Sequence, residues 1–181
     1  MSWSQQERAK IIAGSYKKWG LNHARVLDVG CGNCVVSNVL KEVLGLELTG
    51  TDIIDYRKKN IPFRQMEGNF KLPFEDSSFD YAMFNCVLHH TGDIEALILE
   101  AGRAARKLLV FEDKPGFLLK SADKALNYLY CFKMPPAVNF KSQDEWIKLF
   151  TRIGFDCETG EVKYPFWYPF RHMVFKLTKK Y

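Results

Sequence analysis

Two glycines and an aspartate early in the chain have the spacing of a nucleoside-binding site. Gly30 and Gly32 follow a short apolar run and precede a helical pattern. Glycines permit a tight turn and close approach of a ligand, and the start of a helix offers unpaired N–H groups. Asp52 ends the second apolar run, where a carboxylate accepts hydrogen bonds from ribose hydroxyls. The spacing therefore predicts an adenosine-containing cofactor at the carboxyl ends of two neighbouring strands.

Two nearby positions narrow the identity of that cofactor. A dinucleotide-binding turn carries another glycine three residues after its second one, and Val35 occupies that position here. Asp28 places a carboxylate where a pyrophosphate would be repelled and a cationic amino group would be attracted. These positions disfavour a nicotinamide-dependent oxidoreductase and favour a cofactor with a positively charged amino-acid part.

Three blocks of sequence carry a family resemblance. Residues 26–32 (VLDVGCG) resemble motif I of class I S-adenosylmethionine-dependent methyltransferases. Residues 72–80 (LPFEDSSFD) and 87–90 (VLHH) resemble the LPF, SFD and LHH blocks of their UbiE-like, type-11 small-molecule branch. The resemblance covers residues 26–111, and it implies S-adenosylmethionine as cofactor and a small molecule as methyl acceptor.

The resemblance also implies a set of cofactor-binding residues. Motif I borders the methionine and ribose parts, the end of the second strand holds the ribose and one side of the adenine, and residues 68–70 flank its other side. The last residues of the fourth strand face the methyl group. In chain order the set is Asp28, Gly30, Cys31, Gly32, Asp52, Ile53, Gly68, Asn69, Phe70, Asn85 and Cys86.

The chain departs from the family pattern at two places. Cys34 stands where the family usually has a third glycine, and its side chain is expected to crowd the cofactor. The adenine loop usually reads Gly-Asp-Ala, whereas residues 67–70 here read EGNF. These departures leave open a non-catalytic domain that binds an adenosyl cofactor.

His89 and His90 are the acid–base candidates of the sequence. A base is needed only where the acceptor must lose a proton before methylation, because the sulfonium donor is already reactive. The alternative interpretation is structural, with one histidine capping the next helical segment and the other lining the pocket wall.

Cys31 and Cys34 form a CxxC motif within motif I. Such a pair can be a redox pair or half of a zinc site. The chain has no second CxxC, so a structural or incidental role is favoured and no metal site is predicted.

The elements around these residues predict an α/β fold. Apolar runs at 26–29, 46–52, 61–66, 79–86 and 108–111 alternate with helical periodicity at 36–44, from Asp55, and at 94–105, after an N-terminal helix over 4–19. This alternation predicts a doubly wound, mostly parallel seven-stranded sheet in a single domain over residues 1–181, the Rossmann-like methyltransferase fold.

The last third of the chain breaks the alternation. A helix over 115–134 lies in a segment, 114–140, that is either a lid over the substrate or ordinary helix packing. Ser142 and Glu145 form a capping box at the start of another helix. Strands at 158–164 and 172–178 are too close for a crossover and predict an antiparallel hairpin. The aromatic residues 164–171 between them either line a substrate pocket or plug the core.

Composition limits the partners. The 181 residues carry a formal charge of +5 without a clustered basic stripe, so a nucleic acid is compatible but not indicated. An RNA or protein acceptor stays as an alternative to a small molecule. The sequence shows no secretory signal, no run long enough to span a membrane and no signal for an oligomeric state. Five cysteines without a disulfide framework favour reduced thiols and a cytoplasmic location.

Overall fold

Seven strands form one sheet in the computed structural model of the protein, which describes residues 3–116 and 139–180. The strands are β1 (Arg25–Val29), β2 (Glu47–Asp52), β3 (Phe63–Gln65), β4 (Phe79–Asn85), β5 (Ala105–Asp113), β6 (Phe155–Gly160) and β7 (His172–Lys179). The helices are α1 (Trp3–Tyr16), α2 (Val35–Leu44), α3 (Ile94–Ala104) and α4 (Gln143–Arg152), with 3-10 turns at Lys17–Trp19 and Leu88–His90.

The strands lie in the order β3-β2-β1-β4-β5-β7-β6. Strands β1 to β5 pair in parallel, and β7 pairs antiparallel with both β5 and β6. The carboxyl ends of six strands therefore share one edge of the sheet. This arrangement confirms the predicted fold class and the antiparallel C-terminal hairpin. The order reverses between β1 and β4, which is where sheets of this kind bind ligands.

Each face of the sheet is covered by its own apolar core. On one face α1 and α2 bury Ile12 and Leu40 against Val26 of β1. On the other face α3 and α4 bury residues such as Trp146 against Leu27. Consecutive β1 residues thus belong to opposite cores, because side chains alternate along a strand. Burial on both faces explains why the strands read as continuous apolar runs.

Some predicted boundaries are wrong. The strand predicted over 158–164 begins at Phe155 and ends at Gly160, where its pairing with β7 ends. The strand predicted over 108–111 spans Ala105–Asp113, because β4 and β7 flank it along its length. No helix forms after Asp55, where the Arg57 guanidinium instead bonds the Asp55 carboxylate and the Ile61 carbonyl.

The helix ends follow local sequence signals. The N-terminal helix changes to a 3-10 turn after Tyr16 and stops at Gly20, which has a φ of 65°. The predicted capping box of α4 is confirmed, since Ser142 and Glu145 bond each other's backbone N–H groups. The helix predicted over 115–134, and with it most of the 114–140 segment, lies outside the described residues. Within the described ranges, no helix is both long and apolar enough to cross a bilayer.

Candidate active site

The turn between β1 and α2 opens the site at the point where the strand order reverses. Gly30 and Gly32 both have positive φ, 72° and 54°. A Cβ on Gly30 would lie 2.6 Å from a methyl group of Val87, so this glycine is required by packing. A Cβ on Gly32 would meet nothing within 4 Å. The open side of the turn is therefore at Gly32, where a ligand has room.

Asp52 ends β2 beside this turn and holds it. Its Oδ2 accepts a hydrogen bond from the Gly32 N–H at 2.8 Å, and its Oδ1 accepts one from the Ile53 N–H at 2.7 Å. The side chain is buried, and burial raises the pKa of Asp52 although these backbone hydrogen bonds act to lower it. The predicted neighbours Gly32 and Asp52 are thus brought together.

Asp28 of β1 takes part in a series of buried and part-buried hydrogen bonds next to the turn. The Ser37 hydroxyl donates to its Oδ2 at 2.6 Å, and the Asn85 amide donates to its Oδ1 at 3.2 Å. Asn85 in turn accepts from the Tyr16 hydroxyl at 2.9 Å. Burial raises the pKa of Asp28 to about 7, which the bonds from Ser37 and Asn85 only partly oppose. This series joins α1, β4, β1 and α2.

The residues predicted beside the adenine lie next to Asp52 and in the loop that follows β3. Ile53 directly follows Asp52 and is half-buried. The Met66 N–H donates to the Asp52 carbonyl, so the loop over residues 67–71 starts next to that carboxylate. Gly68, Asn69 and Phe70 lie exposed in this loop.

Cys31 and Cys34 flank Gly32 on the inner side of the turn. Both side chains are buried, and their sulfur atoms lie 3.3 Å apart. Cys34 has a φ of 58°, the left-handed conformation that a glycine would adopt without strain. The Cys34 thiol points toward Cys31 and Gly50, so it does not fill the space in front of Gly32.

Cys86, which follows the end of β4, lies next to Asp113 at the end of β5. Cys86 follows Asn85, adopts a φ of 59°, and places its Sγ 3.9 Å from Asp113 Oδ1. Burial raises the pKa of the Cys86 thiol well above its usual value. The two residues predicted to face the methyl group thus have different neighbours, Asp28 for Asn85 and Asp113 for Cys86.

The predicted acid–base histidines lie in the 3-10 turn after β4. His89 is buried, and its Nδ1 lies 2.5 Å from Glu112 Oε2. The other Glu112 oxygen accepts hydrogen bonds from the Val87 and Leu88 N–H groups. The His89 ring also stacks on Phe140. Glu112 and His89 therefore fix the loop after β4, while His90 is half-buried beside them.

A charged cluster further along this edge was missed by the sequence reasoning. Asp113 Oδ1 lies 2.6 Å from His172 Nδ1, and His172 Nε2 lies 3.1 Å from the Tyr168 hydroxyl. Arg8 hydrogen-bonds Tyr168 and acts electrostatically on Asp113 and Cys86. Its Nε is buried and has no hydrogen-bond partner among the described residues. We call Arg8, Asp113, Tyr168 and His172 the Asp113 cluster.

The negative charge of Asp113 lies near the positive charge of Arg8. Burial acts to raise the pKa of Asp113, but His172 and Arg8 outweigh it and lower the pKa. The donor atoms of Cys86, Asp113 and His172 lie within 4.8 Å of one another, close enough for a metal ion. Because Arg8 already supplies positive charge there, we interpret the group as an ion-pair cluster.

A cleft of about 450 Å³ borders the cluster at the same edge. Its lining includes His172, Lys114, Tyr164 and the end of β6. The aromatic segment 164–171 divides into two parts, since Tyr168 is buried among core residues and Phe166 is fully exposed. Tyr168 therefore fits the predicted plug, and Tyr164 lines the cleft, whereas a role of the segment in a substrate pocket stays a prediction.

A sequence signal existed for part of the cluster. Glu112 and Asp113 follow the apolar run of β5, and His172 begins the last strand. In an antiparallel pair the end of one strand meets the start of the other, so these residues share one edge. Arg8 gave no such signal, since only tertiary packing brings α1 to this edge.

Fold and site together define the class of protein. A sheet of this strand order, with a glycine turn at its switch point and a buried carboxylate ending β2, is typical of Rossmann-like enzymes with an adenosyl cofactor. The family model described as "Methyltransferase domain" matches residues 6–159, and the chain belongs to this family. This membership confirms the predicted class, an S-adenosylmethionine-dependent methyltransferase, and its cofactor.

One curated relative is similar over part of the chain. The sterol 24-C-methyltransferase erg6 of Schizosaccharomyces pombe is 32% identical over 100 residues, which cover 49% of this chain and 26% of the relative. The match thus spans about a quarter of that relative's length.

Solved methyltransferase structures share the fold. An S-adenosylmethionine-dependent methyltransferase of Thermotoga maritima superposes with a TM-score of 0.70 at 20% identity, covering 97% of this chain and 91% of that one. The 1,6-didemethyltoxoflavin-N1-methyltransferase of Burkholderia thailandensis gives a TM-score of 0.70 at 15% identity, covering 98% and 80%. That structure contains its acceptor and S-adenosylhomocysteine.

Proposed function

We propose that the protein transfers a methyl group from S-adenosylmethionine to a small-molecule acceptor at the carboxyl edge of the sheet. The proposal rests on the open space at Gly32 and on the buried Asp52 carboxylate that bonds the Gly32 N–H. These are the positions that the family resemblance assigns to the cofactor.

The residues present fit that cofactor. A carboxylate has acceptor capacity for about four hydrogen bonds. Backbone N–H groups of Gly32, Ile53 and Ile54 use part of that capacity on Asp52, which leaves room for a ribose hydroxyl. Ile53 and residues 68–70 would enclose the adenine, and Asn85 would lie toward the methyl group. The thiol of Cys34 leaves the space clear.

The chain's own contribution to catalysis would be to position the two reactants. When bound, S-adenosylmethionine supplies an electrophilic methyl group on a sulfonium, so no protein nucleophile is needed. Alignment of two reactants can lower a barrier by about 7–11 kcal/mol. A series of hydrogen bonds runs from Tyr16 through Asn85 and Asp28 to Ser37. It connects the end of β4 to the turn and so keeps that alignment.

A small-molecule acceptor is supported by the cleft beyond β5. Its volume of about 450 Å³ lies within the range of small-molecule sites, which is roughly 300–1,000 Å³. Several of its lining groups can hydrogen-bond an acceptor, among them Lys114, Gln143 and Tyr164. The sterol and toxoflavin methyltransferases named above also act on small molecules, as their names state.

The Asp113–His172 pair is better placed than His89 to orient the acceptor and to receive its proton. Asp113 adjoins Cys86 at the end of β4, and His172 borders the cleft. His89 is as deeply buried as His172, but its ring contacts Glu112 and Phe140 and it is not among the residues that line the cleft. Exchange of His172 for glutamine would remove the base and lower turnover by about 10²–10⁴-fold if the acceptor must lose a proton.

Two measurements test the proposal. A thermal-shift screen compares S-adenosylmethionine, S-adenosylhomocysteine and NAD⁺, and we expect stabilisation by the first two alone, about 2.7 kcal/mol at a hundred times the dissociation constant. Formation of S-adenosylhomocysteine is then followed with small-molecule fractions and with RNA as acceptors. Turnover with RNA alone would contradict the small-molecule assignment, and stabilisation by NAD⁺ alone would contradict the cofactor.

A further inference from the structure

Cys31 and Cys34 lie in the turn between β1 and α2, and their thiols are arranged as a pair that can form a disulfide. The Cys34 N–H donates to the Cys31 carbonyl at 3.0 Å, so residues 31–34 already form a tight turn. In such a turn the Cα atoms lie within the separation that a disulfide spans, roughly 4.4–6.8 Å. The two sulfur atoms are 3.3 Å apart. Bond formation requires only a small further approach.

The space around the sulfur atoms is kept free by the neighbouring strand. A Cβ on Gly50 of β2 would lie 2.7 Å from the Cys31 sulfur and 3.5 Å from the Cys34 sulfur. The absence of a side chain at Gly50 therefore makes the pocket in which both thiols meet. Packing at this position accommodates the pair.

The two thiols differ in reactivity. Cys34 caps the N-terminus of α2, where the helix dipole favours a thiolate. The hydrogen bond between the two thiols lowers the pKa of the Cys34 thiol, and the charge of Arg57 acts in the same direction against burial. The same hydrogen bond, together with burial, raises the pKa of Cys31. The position of Cys34 at the N-terminus of α2 therefore favours it as the nucleophile of the pair, with Cys31 as the resolving thiol.

We propose that Cys31 and Cys34 form a reversible intrachain disulfide, and that this oxidative modification weakens binding of the cofactor. The first part rests on the sulfur geometry alone, and the second rests on the proposed function. Gly32 and Asn33 lie between the two cysteines in sequence, and Gly32 adjoins the open space of the turn and bonds Asp52. Drawing the two sulfurs to a bond length of about 2.05 Å shifts Gly32.

The oxidant is a peroxide or a small-molecule disulfide. With hydrogen peroxide, the Cys34 thiolate attacks one oxygen, breaks the O–O bond and becomes a sulfenic acid, with release of water after protonation. The Cys31 sulfur then attacks the Cys34 sulfur, and the hydroxyl leaves as a second water. Two thiols are oxidised and one peroxide is reduced. A thiol reductant reverses the reaction by thiol–disulfide exchange.

The disulfide itself is tested by mass spectrometry of the full chain equilibrated in glutathione buffers of graded potential. Free thiols are trapped by alkylation before tryptic digestion. Both cysteines fall in the single peptide 26–41, and the control Cys157 falls in peptide 153–163. We expect peptide 26–41 to lose two hydrogens and to escape alkylation under oxidising conditions, reversibly with dithiothreitol, while Cys157 stays alkylated. Alkylation at both sulfurs throughout, or glutathione adducts in place of the internal bond, would overturn the proposal.

The coupling is tested by calorimetry with S-adenosylhomocysteine. We expect about tenfold weaker binding to the oxidised protein, which by linkage corresponds to a potential about 30 mV higher when the ligand is saturating. Cys31→Ser should bind equally under both conditions. Equal affinity in the two wild-type states overturns the coupling. Absence of binding to the reduced protein contradicts the proposed function instead, and the peptide mass then decides whether the disulfide forms.

Discussion

The turn between β1 and α2 and the Asp113 cluster lie at the same edge of the sheet but are built differently. The turn is held by backbone N–H groups on Asp52 and comes from a short stretch around β1 and β2. The cluster is held by side-chain contacts and by the opposite charges of Arg8 and Asp113, with His172 beside them, and these residues are far apart in sequence. Local sequence encodes the first region, whereas only the sheet topology assembles the second.

The largest effect is expected from breaking the cluster. Asp113→Ala removes the carboxylate that pairs with the buried His172 and attracts Arg8, and loss of one partner of a buried pair costs about 3–5 kcal/mol. Urea denaturation should show this loss in the free energy of unfolding. The double variant Arg8→Met with Asp113→Ala should recover part of it.

A matched surface variant provides the control for that prediction. Asp76 pairs with Arg103 but its side chain is 78% exposed. We expect Asp76→Ala to change the free energy of unfolding by about 0–1 kcal/mol. Equal losses in Asp113→Ala and Asp76→Ala would show that the cluster is not held by its charges.

The next effect concerns the turn and is measured as affinity. Asp52→Ala removes the carboxylate that bonds Gly32 and is expected to bond the ribose. Hydrogen bonds to a charged group contribute about 1.5–3 kcal/mol each, so binding of S-adenosylhomocysteine should weaken about a hundredfold. Asp156→Ala, an exposed carboxylate on the edge strand β6, is the calorimetric control. Unchanged affinity in Asp52→Ala would show that Asp52 does not contribute to cofactor binding.

The next effect is spread over several pH units and follows from the pKa of Asp28, which burial raises to about 7 from 3.8. Between these values the folded protein binds the proton and the unfolded chain does not. Stability from this group is therefore complete below about pH 4 and is lost as the pH rises to about 7. Relative to wild type, Asp28→Asn should gain up to about 1.4 kcal/mol per pH unit across this window. A gain independent of pH would show that Asp28 is charged throughout.

The smallest effect is the loss in the free energy of unfolding when a helix cap is removed, and it gives a local reference value for the two regions. Ser142→Ala removes the cap of α4, which lies in neither region, and should cost about 1 kcal/mol in the free energy of unfolding. Thr151→Ala in the same helix is the control. A loss as large as that of Asp113→Ala would mean that unfolding energies do not distinguish the cluster from local structure.

These contrasts explain how far the sequence could predict the molecule. Strands, helices and the turn follow from apolar periodicity, glycines and caps, and the resemblance to the methyltransferase family placed Asp52 beside Gly32 correctly. The end of β6 and the length of β5 depend on neighbouring strands, so their boundaries were wrong. The approach of Arg8 to Asp113 and of Glu112 to His89 depends on packing between distant elements, which no local pattern records.

The crystal structure of the complex with S-adenosylhomocysteine tests the central claim most directly. We expect a ribose hydroxyl within hydrogen-bond distance of the Asp52 carboxylate and the ligand in the open space in front of Gly32. A ligand bound elsewhere, or an Asp52 carboxylate that contacts only its own backbone N–H groups in the complex, would contradict it.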